Sequence, residues 1–143
     1  MIKYILKYED LIEHNVHPDF KISEVTDTIV IQKCIDLFNS EIEWDKMFNI
    51  EEALYRIDSG EKMFVGYKNE DIFCYCWIRQ DNTQTYYIYN VFSKKPKSLR
   101  KIGIIDLLYS VIKYHTSGKI IGEVDEWNTQ SQKVTEKLGF TKY

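Results

Sequence analysis

A chain of 143 residues, 44% apolar and 29% charged, is long enough to bury a core as one domain and too apolar to stay disordered. Its formal net charge of −3 argues against binding nucleic acid through bulk electrostatics, so any anion site must be local. No apolar run approaches the roughly 20 residues that cross a bilayer, so no membrane partner is expected, and the charged opening MIKYILKYEDLIEH does not read as a signal peptide.

Residues 1–8 alternate weakly and read as a short strand or an N-terminal arm; His14, His17 and Pro18 surround a turn, and neither histidine has an evident partner. Phe20–Val25 reads as a strand. Thr26 or Asp27 can then cap a helix over 29–38, whose Ile31, Cys34, Ile35 and Phe38 recur at i, i+3, i+4, i+7. The acidic, aromatic stretch 41–48 reads as an irregular helix or a loop. Asn49 can cap a short helix over 50–57, which Ser59 and Gly60 stop. Strands are predicted over 62–67, 72–78 and 85–92, the second apolar enough for burial on both faces, together an antiparallel meander. A helix over 98–115, a strand over 119–124 and a helix over 129–138 follow, the last capped by Asn128 and ended by Gly139. A strand–helix–strand connection over 85–124 should join parallel neighbours. The fold class is therefore α/β (α+β): a mixed, mainly antiparallel sheet with helices on its faces, in one domain over 1–143, with 1–19 as an arm or extra strand.

Three cysteines, Cys34, Cys74 and Cys76, make no disulfide framework, and C-x-C without nearby ligands is a poor zinc signal. Reduced, buried thiols in a cytoplasmic protein are expected, with no metal.

The stretch 86–113 carries the strongest chemical signal. A β-rich run delivers a basic turn with Lys94, Lys95, Lys97, Arg100 and Lys101 to an apolar helix. Unpaired amides and the dipole at a helix N-terminus favour anions, and Gly103 lets a phosphate approach the backbone. The same residues also describe a solvated basic turn ahead of a core helix. A second constellation is Asn128, Ser131 and the Leu138-Gly139-Phe140 ending, for which helix capping is a sufficient account.

The element order and these two stretches resemble the GNAT superfamily of N-acetyltransferases. The resemblance runs from about Phe20 to Phe140 and rests on Arg100-Lys101-Ile102-Gly103-Ile104-Ile105 and on Asn128 with Ser131 ahead of Leu138-Gly139-Phe140. It implies that the strands flanking the central helix splay apart and that acetyl-CoA lies in the resulting V. Arg100, Lys101, Gly103 and Ile104 then hold the pyrophosphate, the strand ending at Val91 and Phe92 pairs with the pantetheine, and Asn128 and Ser131 flank that arm. The chain departs from the pattern in three ways. Ile105 stands where a second small residue is usual. The loop from Val91 to Arg100 is long and contains Pro96. Thr135 stands where a tyrosine acid is expected, and its hydroxyl is far less acidic than a phenol. The resemblance also implies a closing hairpin; with Tyr143 as the last residue, the N-terminal arm is expected to cover that sheet edge instead.

If acetyl transfer to a primary amine operates, Glu123 and Asp125 are candidate bases, being two apart on one strand face, although a solvent-facing acidic pair reads the same way. Tyr89, like Tyr87, is a candidate proton donor or a packing residue. The acidic residues of 41–45 and Glu51-Glu52 suit a cationic small-molecule or protein amine acceptor. The alternative is a catalytically inactive GNAT-like domain that serves as a structural or partner-binding component of a viral or mobile-element assembly, motivated by Ile105 and Thr135. A homodimer or a larger assembly is left open.

Overall fold

The computed structural model describes residues 1–41, 49–94 and 103–143. Among them the elements run β1 Ile2–Lys7, β2 Phe20–Val25, α1 Thr28–Glu41, α2 Ile50–Asp58, β3 Lys62–Lys68, β4 Asp71–Asn82, β5 Thr85–Ser93, α3 Ile104–His115, β6 Lys119–Val124, α4 Thr129–Lys137 and β7 Thr141–Lys142. Local chemistry sets several boundaries. The Asp27 carboxylate accepts from the Ile29 amide at 2.8 Å and starts α1. Asn49 accepts from the Glu52 amide at 2.8 Å and starts α2. Such caps satisfy amides that the helix itself leaves unpaired. The expected start of the central helix at Ser98 and the reading of 42–48 lie outside the described residues.

The strands form one sheet in the order β2-β3-β4-β5-β6-β1-β7. All neighbours are antiparallel except β5 and β6. The expected meander is therefore β3-β4-β5, and α3 crosses over between the parallel pair. The N-terminal residues resolve as a strand inside the sheet: β1 pairs with β6 over six rungs, from Ile2 opposite Val124 to Lys7 opposite Lys119. β7 adds two rungs on the far side of β1.

Both faces of the sheet are covered. On one, Phe64, Cys74, Cys76, Ile78, Ile88 and Ile120 pack against Leu107, Leu108, Val111 and Ile112 of α3. On the other, Met63, Val65, Tyr75, Trp77 and Phe92 pack against Ile31, Cys34, Ile35 and Phe38 of α1 and Ala53 of α2. Because side chains alternate along a strand, the continuous apolar run of β4 feeds both cores at once. The thiols lie inside these cores, and burial pushes Cys34 and Cys76 up to about 12, far from reactive thiolates.

Two histidines find partners in the fold. His115 stands in the last turn of α3, where a cation would suit the helix dipole. Its ring packs on Phe64, 4.4 Å between centroids, and desolvation there lowers its pKa below the usual histidine value. His14, for which the sequence offered no partner, meets Asp106, 92 residues away, at 2.7 Å.

Candidate functional site

β5 and β6 do not stay together. They pair from Thr85 opposite Lys119 to Ile88 opposite Gly122, and there the ladder ends, although β5 continues to Ser93 and β6 to Val124. One cause is visible in β5. Asn90 and Val91 together oppose the single residue Cys76 of β4, a β-bulge, and Asn90 adopts φ +50°. A bulge bends its strand and increases the local twist, and asparagine tolerates the left-handed region better than most residues. The Asn90 carboxamide oxygen is buried without a partner among the described residues.

The parting opens a cleft of about 170 Å³. Tyr89, Asn90 and Val91 form one wall and Glu123, Val124 and Asp125 the other. Ile104 and Leu108 of α3 close one side, and Asn128, Ser131 and Thr135 of the α4 region close another. An apolar recess of about 50 Å³ lies alongside, where Gly122 and Phe140 join the shared lining. Of the residues singled out from the sequence, Tyr89, Val91, Ile104, Glu123, Asp125, Asn128 and Ser131 thus converge on one space. Phe92 does not line it. Its side chain is buried on the opposite face, against Phe38 and Tyr75 with centroids 5.2 and 5.5 Å away. Arg100 and Lys101 lie outside the described residues.

The two candidate carboxylates differ in setting. Glu123 is exposed, opposite Lys3 of β1, and Asp125 is half-buried just past the end of β6. Burial and the adjacent Glu123 carboxylate, which accepts a hydrogen bond from the Tyr87 phenol, raise the Tyr87 pKa. Tyr89 stacks on Tyr87 at 5.8 Å. Its hydroxyl donates to Glu61 and accepts from the Arg56 guanidinium at 3.2 Å. Burial first, then Glu61, pushes this phenol well above the ordinary tyrosine value. Sequence reasoning missed Glu61 and Arg56, because nothing in their spacing links the end of α2 to the middle of β5.

At the head of α3 the Gly103 amide donates to the Asp106 carboxylate at 3.1 Å, and the Asp106 and Leu107 amides donate back to the Gly103 carbonyl. Gly103 has φ 177°, extended backbone open to any residue, and among the described residues a Cβ built there would meet nothing within 4 Å. The amides of Ile104 and Ile105 bond no described residue. The Ile105 side chain, expected to crowd a diphosphate, packs partly buried against the α3-side core and is not among the cleft residues.

No family model matches the chain, and no curated protein matches it. Solved structures do. A conserved protein of unknown function from Staphylococcus epidermidis superposes with a TM-score of 0.70 at 13% identity, over 99% of this chain and 57% of its own. An aminoglycoside acetyltransferase from an uncultured soil metagenomic sample, solved with sisomicin, gives 0.64 at 14% identity, over 85% and 88%. A GCN5-related N-acetyltransferase from Kribbella flavida gives 0.66 at 5% identity, over 99% and 53%. The fold is that of the GNAT acetyltransferases. The chain spans little more than half the length of the first and third of these structures.

The α4 region carries Thr135 at the position where the resemblance implied a tyrosine. Asn128 caps α4 through its Oδ1, which accepts from the Ser131 amide at 3.1 Å. Gly139 ends it at φ +109°. Thr135 is buried, and its hydroxyl donates to the Ser131 carbonyl at 2.7 Å. The only proton it has to give therefore goes to the main chain.

Proposed function

We propose that the chain is an acetyl-CoA-dependent N-acetyltransferase acting on a primary amine. The observation that carries this reading is the parting of β5 from β6 after Ile88 and Gly122, with two carboxylates on the wall of the opening. Beyond Ile88 the β6-facing side of β5 has no ladder partner among the described strands, and from Asn90 on it would offer backbone groups to an extended pantetheine arm, as a strand edge offers them to any extended chain. The α3 amides after Gly103, with Arg100 and Lys101, would hold the diphosphate.

The neutral amine nitrogen attacks the thioester carbonyl carbon. The tetrahedral intermediate then collapses, the C–S bond breaks, and CoA leaves as a thiolate that takes up a proton. The nitrogen must lose one proton, and Asp125 or Glu123 is the acceptor, directly or through one water. Tyr89 forms a wall of the cleft; with its phenol directed at Glu61, the leaving thiolate is more simply protonated by solvent. A cationic acceptor suits this acidic opening and the exposed Glu51 and Glu52 of α2. The polyamine sisomicin, bound by a structural neighbour, belongs to that chemical class. Three buried, unpaired cysteines suit a reducing compartment such as the cytoplasm.

A second reading, a partner-binding domain without turnover, is favoured by two features: Asp106 takes the Gly103 amide, and Thr135 replaces the phenol. Calorimetric titration with acetyl-CoA separates the two. The transferase reading expects saturable binding that Gly103→Glu abolishes, and free-thiol release with a polyamine panel that Asp125→Asn with Glu123→Gln lowers by about 10²-fold or more. No heat and no thermal stabilisation at millimolar acetyl-CoA would leave the binding module standing.

A further inference from the structure

Asp106 is a fully buried carboxylate in the first turn of α3. Burying such a charge is costly unless hydrogen bonds replace its water. A local cap would need only the Gly103 amide at 3.1 Å. Here the segment between β1 and β2 supplies two further partners, the His14 ring at 2.7 Å and the His17 amide at 3.4 Å. That segment is pinned to the next turns of α3 as well. The His14 ring meets the edge of Tyr109, and Glu13 accepts from the Tyr109 hydroxyl at 2.8 Å and from Lys113 at 3.1 Å.

We propose that Asp106, held by His14, is a positioning residue for the anion-binding end of the cleft. Its carboxylate fixes the Gly103 backbone, and with it the direction in which α3 offers the next two amides, those of Ile104 and Ile105. The protein spends one helix-end amide on itself to aim two others. His14 does this from a different part of the chain, so the latch couples the β1–β2 segment to the cofactor turn. This rests on the acetyl-CoA reading, because the ligand aimed at is its diphosphate.

The test reads two quantities in the full chain: hydrogen exchange of the Gly103 amide by NMR, and CoA affinity by calorimetry. His14→Ala is expected to speed Gly103 exchange about tenfold and weaken CoA binding about tenfold. His14→Gln keeps a donor that can reach the same carboxylate and should recover most of both. Glu13→Ala loosens the same segment without touching Asp106, so it should lower Tm and change neither. If His14→Ala lowers Tm while Gly103 exchange and CoA affinity stay at the wild-type value, the interaction is merely structural and the proposal is wrong. If the wild-type chain does not bind CoA, the acetyl-CoA reading fails and the ligand half of the proposal goes with it. The Gly103 exchange rates in the His14 variants then decide the latch alone.

Discussion

Thr135 illustrates how a residue can sit at a functional position and be chemically committed elsewhere. Its hydroxyl back-bonds to Ser131, a local interaction that threonine makes readily inside a helix. Thr135→Val should therefore leave thiol release from acetyl-CoA within about twofold of the parent, since no reacting proton is removed. His115 yields a pH prediction. Its folded-state pKa lies below that of the unfolded chain, so the unfolded state binds more protons in the window just under the ordinary histidine value of about 6.5. Stability should rise with pH through that window and level off above it. His115→Leu should flatten this part of a denaturation-midpoint series run between about pH 5 and 7.5. Gly139 is held at φ +109°, and a Cβ there would come within 2.7 Å of the Asp10 carbonyl oxygen. Gly139→Ala should cost about 2 kcal/mol or more in urea unfolding, because both backbone strain and a backbone contact oppose it.

At the scale of elements, three register shifts mark the sheet among the described residues, one of them between Gln80 and Asn82 of β4. The bulge at Asn90 and Val91 redirects β5. Another register shift sits between Gly66 and Tyr67 of β3, where Phe73 is the extra residue on β4. Gly66 is required for packing: its missing Cβ leaves room for the Phe20 ring at 2.5 Å and the Cys74 sulfur at 2.6 Å. Gly66→Ala must push β2 outward or displace Cys74, and overpacking of this kind costs about 1–3 kcal/mol. Equilibrium unfolding with an unchanged m-value would identify it as a packing effect. The helices are simpler. α1, α2 and α4 start on Asp27, Asn49 and Asn128; the sequence marks the two asparagines and leaves α1 between Thr26 and Asp27. α3 lacks such a residue at Gly103 and borrows the Asp106 carboxylate from within its own first turn.

At the scale of the molecule, the sheet behaves as two halves joined over only four rungs, Thr85 to Ile88 against Lys119 to Gly122. Bound acetyl-CoA should therefore slow amide exchange in the part of β5 that continues past its ladder with β6, at Asn90 to Ser93, and around Glu123 to Asp125. It should leave the β2–β3 pairing, at the far edge, unchanged. Protection centred on β2 and β3 instead would place the ligand outside the cleft.

Much of the fold is legible in the sequence. Apolar periodicity identified α1 and α2, alternation and turn residues identified β2 to β6, and the capping asparagines marked where α2 and α4 begin. These are signals between residues a few positions apart, so a one-dimensional reading can recover them. Asn128 and Ser131 were singled out by a family resemblance and Glu123 and Asp125 by their two-residue spacing on one strand; that all four line one opening is a property of the fold. What the linear order left open was every pairing between distant segments. β1 was a strand or an arm until β6 supplied six rungs of partner. His14 and His17 had no role until the fold carried them to Asp106, and Tyr89 looked available until Glu61 and Arg56 were brought to its hydroxyl. Short-range order is written in local propensity, whereas the fate of a buried polar group depends on which remote donor the packed chain delivers to it.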